Sequence, residues 1–309
     1  ARNYGIHSAM PSAQAKKLCP QLQIIPGRMQ KYREASAQIH EIFQHYTDLI
    51  EPLSLDEAYL DVSDAQAHQG SATRIAEEIR QRVKADVGIT ISAGVAPNKF
   101  LAKIASDWNK PDGLFVVLPS EVEAFVETLP VKKLFGVGPA TAVKLQRMGV
   151  ESCGDLRAFS KIELVERMGS FGERLHQLSM GIDERPVRTS WRRKSLSIEH
   201  TYNIDLPSYE ACLEKLPELM EELDRRLQRL DDGYRVVGGV VKVKFDNFVQ
   251  TTVEHRIAEP NQATYKALLK EGYERANRAV RLLGVGVRLE DSQADGLCQQ
   301  LSLFETLVD

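Results

Sequence analysis

The chain has 309 residues, enough for two or three domains of ordinary size rather than one core. Hydrophobic residues at 43% and charged residues at 27% exclude disordered and fibrous classes, and no apolar stretch reaches membrane-helix length. The formal net charge of −3 lacks the basic excess of a simple nucleic-acid binder, but net charge describes steering rather than site chemistry, so DNA binding stays open.

In chain order, the opening ARNYGIHSAMP lacks the basic start and apolar run of a secretory signal. Residues 34–49 place Ala35, Ile39, Ile42, Phe43, Tyr46 and Leu49 at helical spacing, which predicts an amphipathic helix. The run LSLDEAYLDV, 53–62, reads as a strand that carries acids. A helix over 71–86 follows, with Ser71 as N-cap and Ile75, Ile79 and Val83 on one stripe. Alternation of Ile89, Ile91, Ala93 and Val95 predicts a strand. Pro97-Asn98 then opens a helix, and 114–118 forms one more strand. Ser120 with Glu123 is expected to form a capping box. Strands alternating with helices indicate an α/β sheet layer. Residues 130–183 show short helical stretches divided by glycine turns. A polar, basic stretch at 185–194 reads as a linker. Beyond it come a strand (195–204), a helix (208–230), two strands (235–246 and 249–257), a helix (261–280) and a strand (281–290). That β-α-β-β-α-β order predicts a ferredoxin-like module, and the fold class is α+β multidomain. Residues 184–290 carry 19 basic and 17 acidic side chains, whereas 291–309 carry none and 4.

Three patterns carry chemistry. Asp56 and Glu57 are adjacent carboxylates in an otherwise apolar segment, where burial is costly unless they are paired or bind metal. Their hard oxygens suit Mg²⁺, but neighbours on a flat strand face opposite ways, so both reach one site only where the strand twists or turns. Solvent-facing acids on a hairpin are the alternative. Second, Gly136-Val137-Gly138 within LFGVGPATAVKL lets backbone N–H groups and a helix start approach a phosphate oxygen. This resembles a helix-hairpin-helix, with a weaker copy at MGSFG, 168–172, that packing explains equally well. Third, Gln300, Leu301, Leu303 and Phe304 follow a polar stretch, and exposed Leu and Phe there need a partner to bury them. The pattern resembles the peptide by which bacterial DNA enzymes dock on the sliding clamp, the beta subunit of DNA polymerase III. Arg192, Arg193, Lys194, Lys242 and Lys244 collectively fit a strand face that follows a DNA backbone, though each alone reads as solvated surface. Cys19, Cys153, Cys212 and Cys298 lie far apart with no CxxC pair. Neither a zinc site nor a disulfide framework is expected, and a cytoplasmic location fits.

Together, SLDEAYLDV, SAGVAPNKFLAKIASDWNKPDG, LFGVGPATAVKL and KSLSIEHTY stand in an order that resembles the Y-family DNA polymerases, nearest to their bacterial DinB type. The resemblance implies an error-prone, template-directed polymerase acting on primer–template DNA and a dNTP past lesions. It implies the end of a fingers domain at 1–26, a palm at 27–118, a helix-hairpin-helix thumb at 119–183 and a linker at 184–194. A little finger at 195–290 and a tail at 291–309 complete the plan. By position, Asp56 and Glu57 match metal-binding carboxylates for two Mg²⁺ ions, and Lys110 and Arg2 match cations near the incoming triphosphate. Family members begin with a strand bearing a further catalytic aspartate and an aromatic residue that excludes ribonucleotides. The sequence as given starts after both, so only a remnant of the palm sheet and poor primer extension are expected. A non-catalytic DNA-binding and clamp-docking protein on the same scaffold is the alternative, and a helix-hairpin-helix nuclease a third reading.

Overall fold

The computed structural model describes residues 1–231, 233–257 and 260–291. The chain forms two compact units, Ala1–Ser190 and Trp191–Asp309.

The first unit begins with α1 (Ser12–Leu18) and α2 (Met29–Gln44). The hairpin strands β1 (Ile50–Pro52) and β2 (Ala58–Leu60) follow, then α3 (Ala72–Arg82) and β3 (Ala93–Val95). Next come α4 (Lys99–Trp108) and β4 (Leu114–Val116). The apolar stripes predicted for α2 and α3 meet in one core of Ile42, Tyr46, Ile75, Ile79 and Val83. Ser71 caps α3 by accepting from Arg74 N–H at 3.4 Å, and Asn98 caps α4 by accepting from Leu101 N–H at 3.0 Å.

Pairing is sparser than the sequence suggests. β1 and β2 are antiparallel and β3 and β4 parallel, two separate two-stranded sheets among the described residues. The strand predicted over 53–62 is a turn followed by a short β2, because Leu53 N–H and Ser54 N–H both donate to the Glu57 carbonyl and close the chain on itself there. The predicted 89–95 strand shortens to β3, where a Cβ on Gly94 would lie 2.2 Å from the Ala102 carbonyl oxygen. The backbone of α4 therefore rests directly on β3. The helix expected over 71–86 ends its α-helical geometry at Arg82 and closes in a π turn over Val83–Val87. The expected Ser120–Glu123 box is absent; Glu121 instead accepts from Leu118 N–H at 3.2 Å and caps a 3₁₀ turn, Pro119–Glu121, that leads into the next helix.

Five further helices complete this unit: α5 (Val122–Glu127), α6 (Pro139–Arg147), α7 (Cys153–Leu156), α8 (Lys161–Met168) and α9 (Ser170–Ser179). Their core includes Val126, Leu145, Leu156, Leu164, Leu175 and Leu178, and it takes in Phe100, Leu101 and Ile104 of α4. Between α8 and α9, Gly172 has no room for a side chain, since its Cβ would sit 2.0 Å from the Leu164 carbonyl oxygen. Packing therefore requires the second glycine of MGSFG, whereas a Cβ on the first, Gly169, would meet nothing within 4 Å.

The second unit follows the predicted order: β5 (Ser195–Leu206), α10 (Tyr209–Leu213), α11 (Leu216–Leu227), β6 (Tyr234–Phe245), β7 (Gln250–Arg256), α12 (Gln262–Glu274) and β8 (Val280–Asp291). The four strands are antiparallel in the order β5-β8-β6-β7. Each βαβ is thus split, with β8 between β5 and β6, and β6 between β7 and β8. The single helix expected over 208–230 is two, because Pro217 cannot donate to the Leu213 carbonyl. The helix expected to reach 280 stops at Glu274, just before Asn277 takes a left-handed φ of 51°. Helices α11 and α12 cover one face of the sheet, with Leu219, Leu223, Tyr265, Leu268, Val241, Val243 and Val285 in the core. No helix among the described residues is long and apolar enough to cross a membrane.

Candidate active site and nucleic-acid interface

Asp56 and Glu57 lie in the turn that joins β1 to β2, closed by Leu53 N–H donating to the Glu57 carbonyl at 2.8 Å. A turn frees neighbouring side chains from strand alternation, the condition both carboxylates need to serve one site. Asp56 is exposed, and its Oδ1 accepts from the Ser54 hydroxyl at 2.5 Å. Glu57 is half-buried and holds Lys103 Nζ at 2.6 Å. One turn earlier on α4, the buried Lys99 donates to Glu51 Oε2 at 2.5 Å and to the Pro186 carbonyl at 3.0 Å. Two lysines on α4 therefore grip the hairpin, one at β1 and one at the turn. Burial opposes ionisation of Glu51, but hydrogen bonds from Lys99 and Arg188 N–H outweigh it and hold its carboxyl below the usual range.

The N-terminus of α4 is fastened in turn by Asp183, whose side chain is fully buried. Its Oδ2 accepts from Phe100 N–H at 3.1 Å, and Arg174 and Arg185 donate to it at 3.1 and 2.8 Å. Burial raises its pKa, yet the two guanidinium groups dominate and bring it down to about 2. Lys110, just past α4, pairs with Asp107 at 2.6 Å. Lys103 and Asp107 also line a cavity of about 110 Å³ with Phe100, Ile104, Lys133 and Phe135. That volume is smaller than the ~300 Å³ at which small-molecule sites begin, so the cavity by itself is too small to enclose a nucleotide. Arg2 is exposed in a short turn, Arg2–Tyr4, at the start of the chain.

The glycine hairpin has the predicted form. Gly136 takes a φ of +92°, and Gly138 is the N-cap of α6 with Pro139 as its first residue. A Cβ on Gly138 would meet nothing within 4 Å, so the absent side chain leaves the helix start open to an approaching group. Val137 N–H donates to the Leu134 carbonyl at 3.0 Å and closes the turn.

In the second unit the basic residues have separate surroundings. Arg192 pairs with Asp231 and Asp291, both at 3.1 Å, and stacks on Tyr234. Arg193 N–H donates to the Tyr234 hydroxyl, and the Lys194 carbonyl accepts from Leu289 N–H. Lys242 is ion-paired with Glu199, and Lys244 sits over the Phe248 ring. Gln300, Leu301, Leu303 and Phe304 lie outside the described residues.

Three family models match the chain: the impB/mucB/samB family over residues 1–107, a thumb domain described for DNA polymerase-iota over 132–183, and the impB/mucB/samB C-terminal domain over 193–303. A protein named DNA polymerase IV from Ectopseudomonas mendocina (strain ymp) is 58% identical over 304 residues, covering 98% of this chain and 86% of the relative. The chain belongs to the Y-family DNA polymerases, DNA polymerase IV type. A relative of the same name from Pseudomonas putida (strain GB-1) is also 58% identical, over 98% of this chain and 85% of its own. Among solved structures, a Y-family polymerase chimera of Dbh and Dpo4 superposes with a TM-score of 0.84 at 26% identity, covering 93% of this chain and 84% of its own. An insertion ternary complex of Dbh DNA polymerase gives 0.63 at 25% identity, covering 94% and 85%.

Sequence reading missed four residues that fasten the hairpin and α4 beside the candidate carboxylates. Lys99 and Lys103 stand four apart in NKFLAK, the one available signal that both face the same way. Glu51 and Asp183 gave none, since their partners come from segments distant in sequence.

Proposed function

We propose that the chain carries out template-directed transfer of a nucleotide from a dNTP to a primer 3′-hydroxyl, in the translesion manner of its family, with Asp56 and Glu57 holding Mg²⁺. The pair at the open β1–β2 turn carries the reading. Two adjacent carboxylates present hard oxygen donors at an exposed position, and Glu57 already holds a cation in the Lys103 ammonium. Among the described residues no cluster of three or more His, Cys, Asp or Glu forms a complete cage. That donor set suits an ion that keeps several waters and takes its remaining ligands from substrate phosphates. When bound, two Mg²⁺ ions would activate the primer hydroxyl and stabilise charge on the departing pyrophosphate.

The chain's own residues do the positioning. Lys99 and Lys103 fix the hairpin against α4, so that both carboxylates sit at one defined turn. Lys110 and Arg2 supply positive charge for the triphosphate, Lys110 by exchanging Asp107 for a phosphate oxygen. The Gly136–Gly138 hairpin offers backbone N–H groups and the start of α6 to a DNA phosphate. The little-finger basic residues follow the backbone beyond, and residues 300–304 dock on the sliding clamp.

Primer extension by the full chain with Mg²⁺ and four dNTPs tests this. Asp56→Asn or Glu57→Gln should abolish nucleotide addition and leave duplex binding within about two-fold. Extension surviving in both variants would refute the assignment. Tight duplex binding with no uptake of Mg²⁺ and dNTP by the unsubstituted chain, read by isothermal titration with primer–template, would favour a non-catalytic adaptor.

A further inference from the structure

The sheet face of the second unit that carries no helices holds two ion pairs of one design. Glu199 on β5 and Lys242 on β6 both stand in register with Gly284 of the intervening β8. They meet across it, and a Cβ on Gly284 would lie 2.8 Å from Glu199 Cγ. Arg288 on β8 likewise stands opposite Gly238 on β6, and its side chain passes over that glycine to Glu254 on β7, Nε to both carboxylate oxygens at 2.8 Å. In each case a glycine on the middle strand supplies the clearance that lets an acid and a base pair two strands apart. The Arg235–Glu290 pair, by contrast, joins residues directly opposite each other.

All four side chains are a third to a half exposed, so each pair opens readily to a stronger ligand. A phosphate backbone is that ligand for Lys242 and Arg288, and Lys244 and Arg256 lie on the same face in the adjoining register positions. We propose that Glu199 and Glu254 are built-in competitors for the DNA backbone: each holds a cation that a phosphate must take over, and the two together set how weakly the little finger grips DNA. A translesion enzyme gains from such a restraint, because a loosely held duplex is released after a short patch. This rests on the reading of the chain as a DNA polymerase that grips duplex through this sheet.

The test is binding of the full chain to a fluorescein-labelled primer–template by anisotropy over a series of NaCl concentrations. Glu199→Gln and Glu254→Gln should each tighten binding about two- to five-fold, the range an exposed ion pair supplies. Their salt slopes should stay at the wild-type value, since the number of phosphates contacted is unchanged. Lys242→Ala should weaken binding and lower the slope by about one. In the Lys242→Ala background, Glu199→Gln should no longer tighten binding. Equal tightening in both backgrounds would show a general charge effect and overturn the inference, as would no tightening at all. Primer extension separates the two readings: normal extension with no coupling overturns only the competitor role. Failure of the chain to bind duplex would overturn both.

Discussion

Replacing Asp183 by Asn removes the one anion that Arg174, Arg185 and the N-terminus of α4 share. The magnitude follows from its titration. A carboxyl held at about 2 against an ordinary 3.8 contributes about 2 kcal/mol of stability when ionised. Because the folded-state value is depressed, that contribution is complete above pH ~4 and disappears as pH falls through ~2, with about half gone near pH 3. The Asn amide also points a donor at guanidinium groups that are donors themselves, which adds about 1–2 kcal/mol. Asp183→Asn should therefore cost about 3–4 kcal/mol at pH 7. Urea unfolding followed by tryptophan fluorescence measures it in the first unit, where Trp108 packs between Phe115 and Phe125 at 5.5 and 5.0 Å. Trp191 is 83% exposed and changes little on unfolding. The gap between wild type and variant should narrow by about 1 kcal/mol between pH 7 and pH 3, because only the wild type loses its anion. A gap below 1 kcal/mol at pH 7, or one that does not narrow, would refute the account of α4 as a helix anchored by a buried anion.

Two glycines of the thumb should separate folding from DNA contact. Gly172→Ala forces a methyl against the Leu164 carbonyl and should lower the thermal midpoint of the first unit by several degrees, read by near-UV circular dichroism. Gly138→Ala meets open space at a φ of −83°, so the midpoint should hold while duplex affinity falls several-fold in the anisotropy assay; unchanged affinity would remove the hairpin from the DNA interface. Deleting residues 300–304 should leave extension of short templates intact and abolish stimulation by the sliding clamp, and stimulation that survives would disprove the tail's role.

What the sequence reveals depends on how local the determining physics is. The alternation of Leu196 and Ile198, and of Val241, Val243 and Phe245, marks one buried sheet face, and the strands of the second unit fall within about two residues of expectation. At the acids the sequence leaves a strand and a hairpin with solvent-facing acids both open, and the structure has the hairpin, with Asp56 exposed. LSLDEAYLDV has the apolar content of a strand, and only the closing bond from Leu53 to Glu57 shows that the acids occupy a turn. The charges that organise α4 were silent for another reason. Glu51 and Asp183 are separated from Lys99 and Phe100 by 48 and 83 residues, and no window of sequence contains either pair. The two glycine-bridged ion pairs were illegible too, because strand order, not strand identity, brings Glu199 to Lys242.

These points converge on α4. The helix is buried on two sides, against β3 through Gly94 and within the thumb core through Phe100, Leu101 and Ile104, so close packing holds it in place near the candidate metal carboxylates. A site that holds a charged substrate gains when its first contacts are fixed before the substrate arrives, and short strands such as β1 and β2 are too small to fix anything alone. The lysines of α4 perform that task differently at the two acids of the hairpin they touch. Lys99 holds Glu51 as a buried structural pair with two further hydrogen-bond partners, whereas Lys103 holds Glu57 as a half-exposed pair that a divalent ion can displace. Asp56 is held by a neutral hydroxyl and faces water. The hairpin thus grades from fixed to exchangeable along its length, with the exchangeable end at the turn where chemistry would take place.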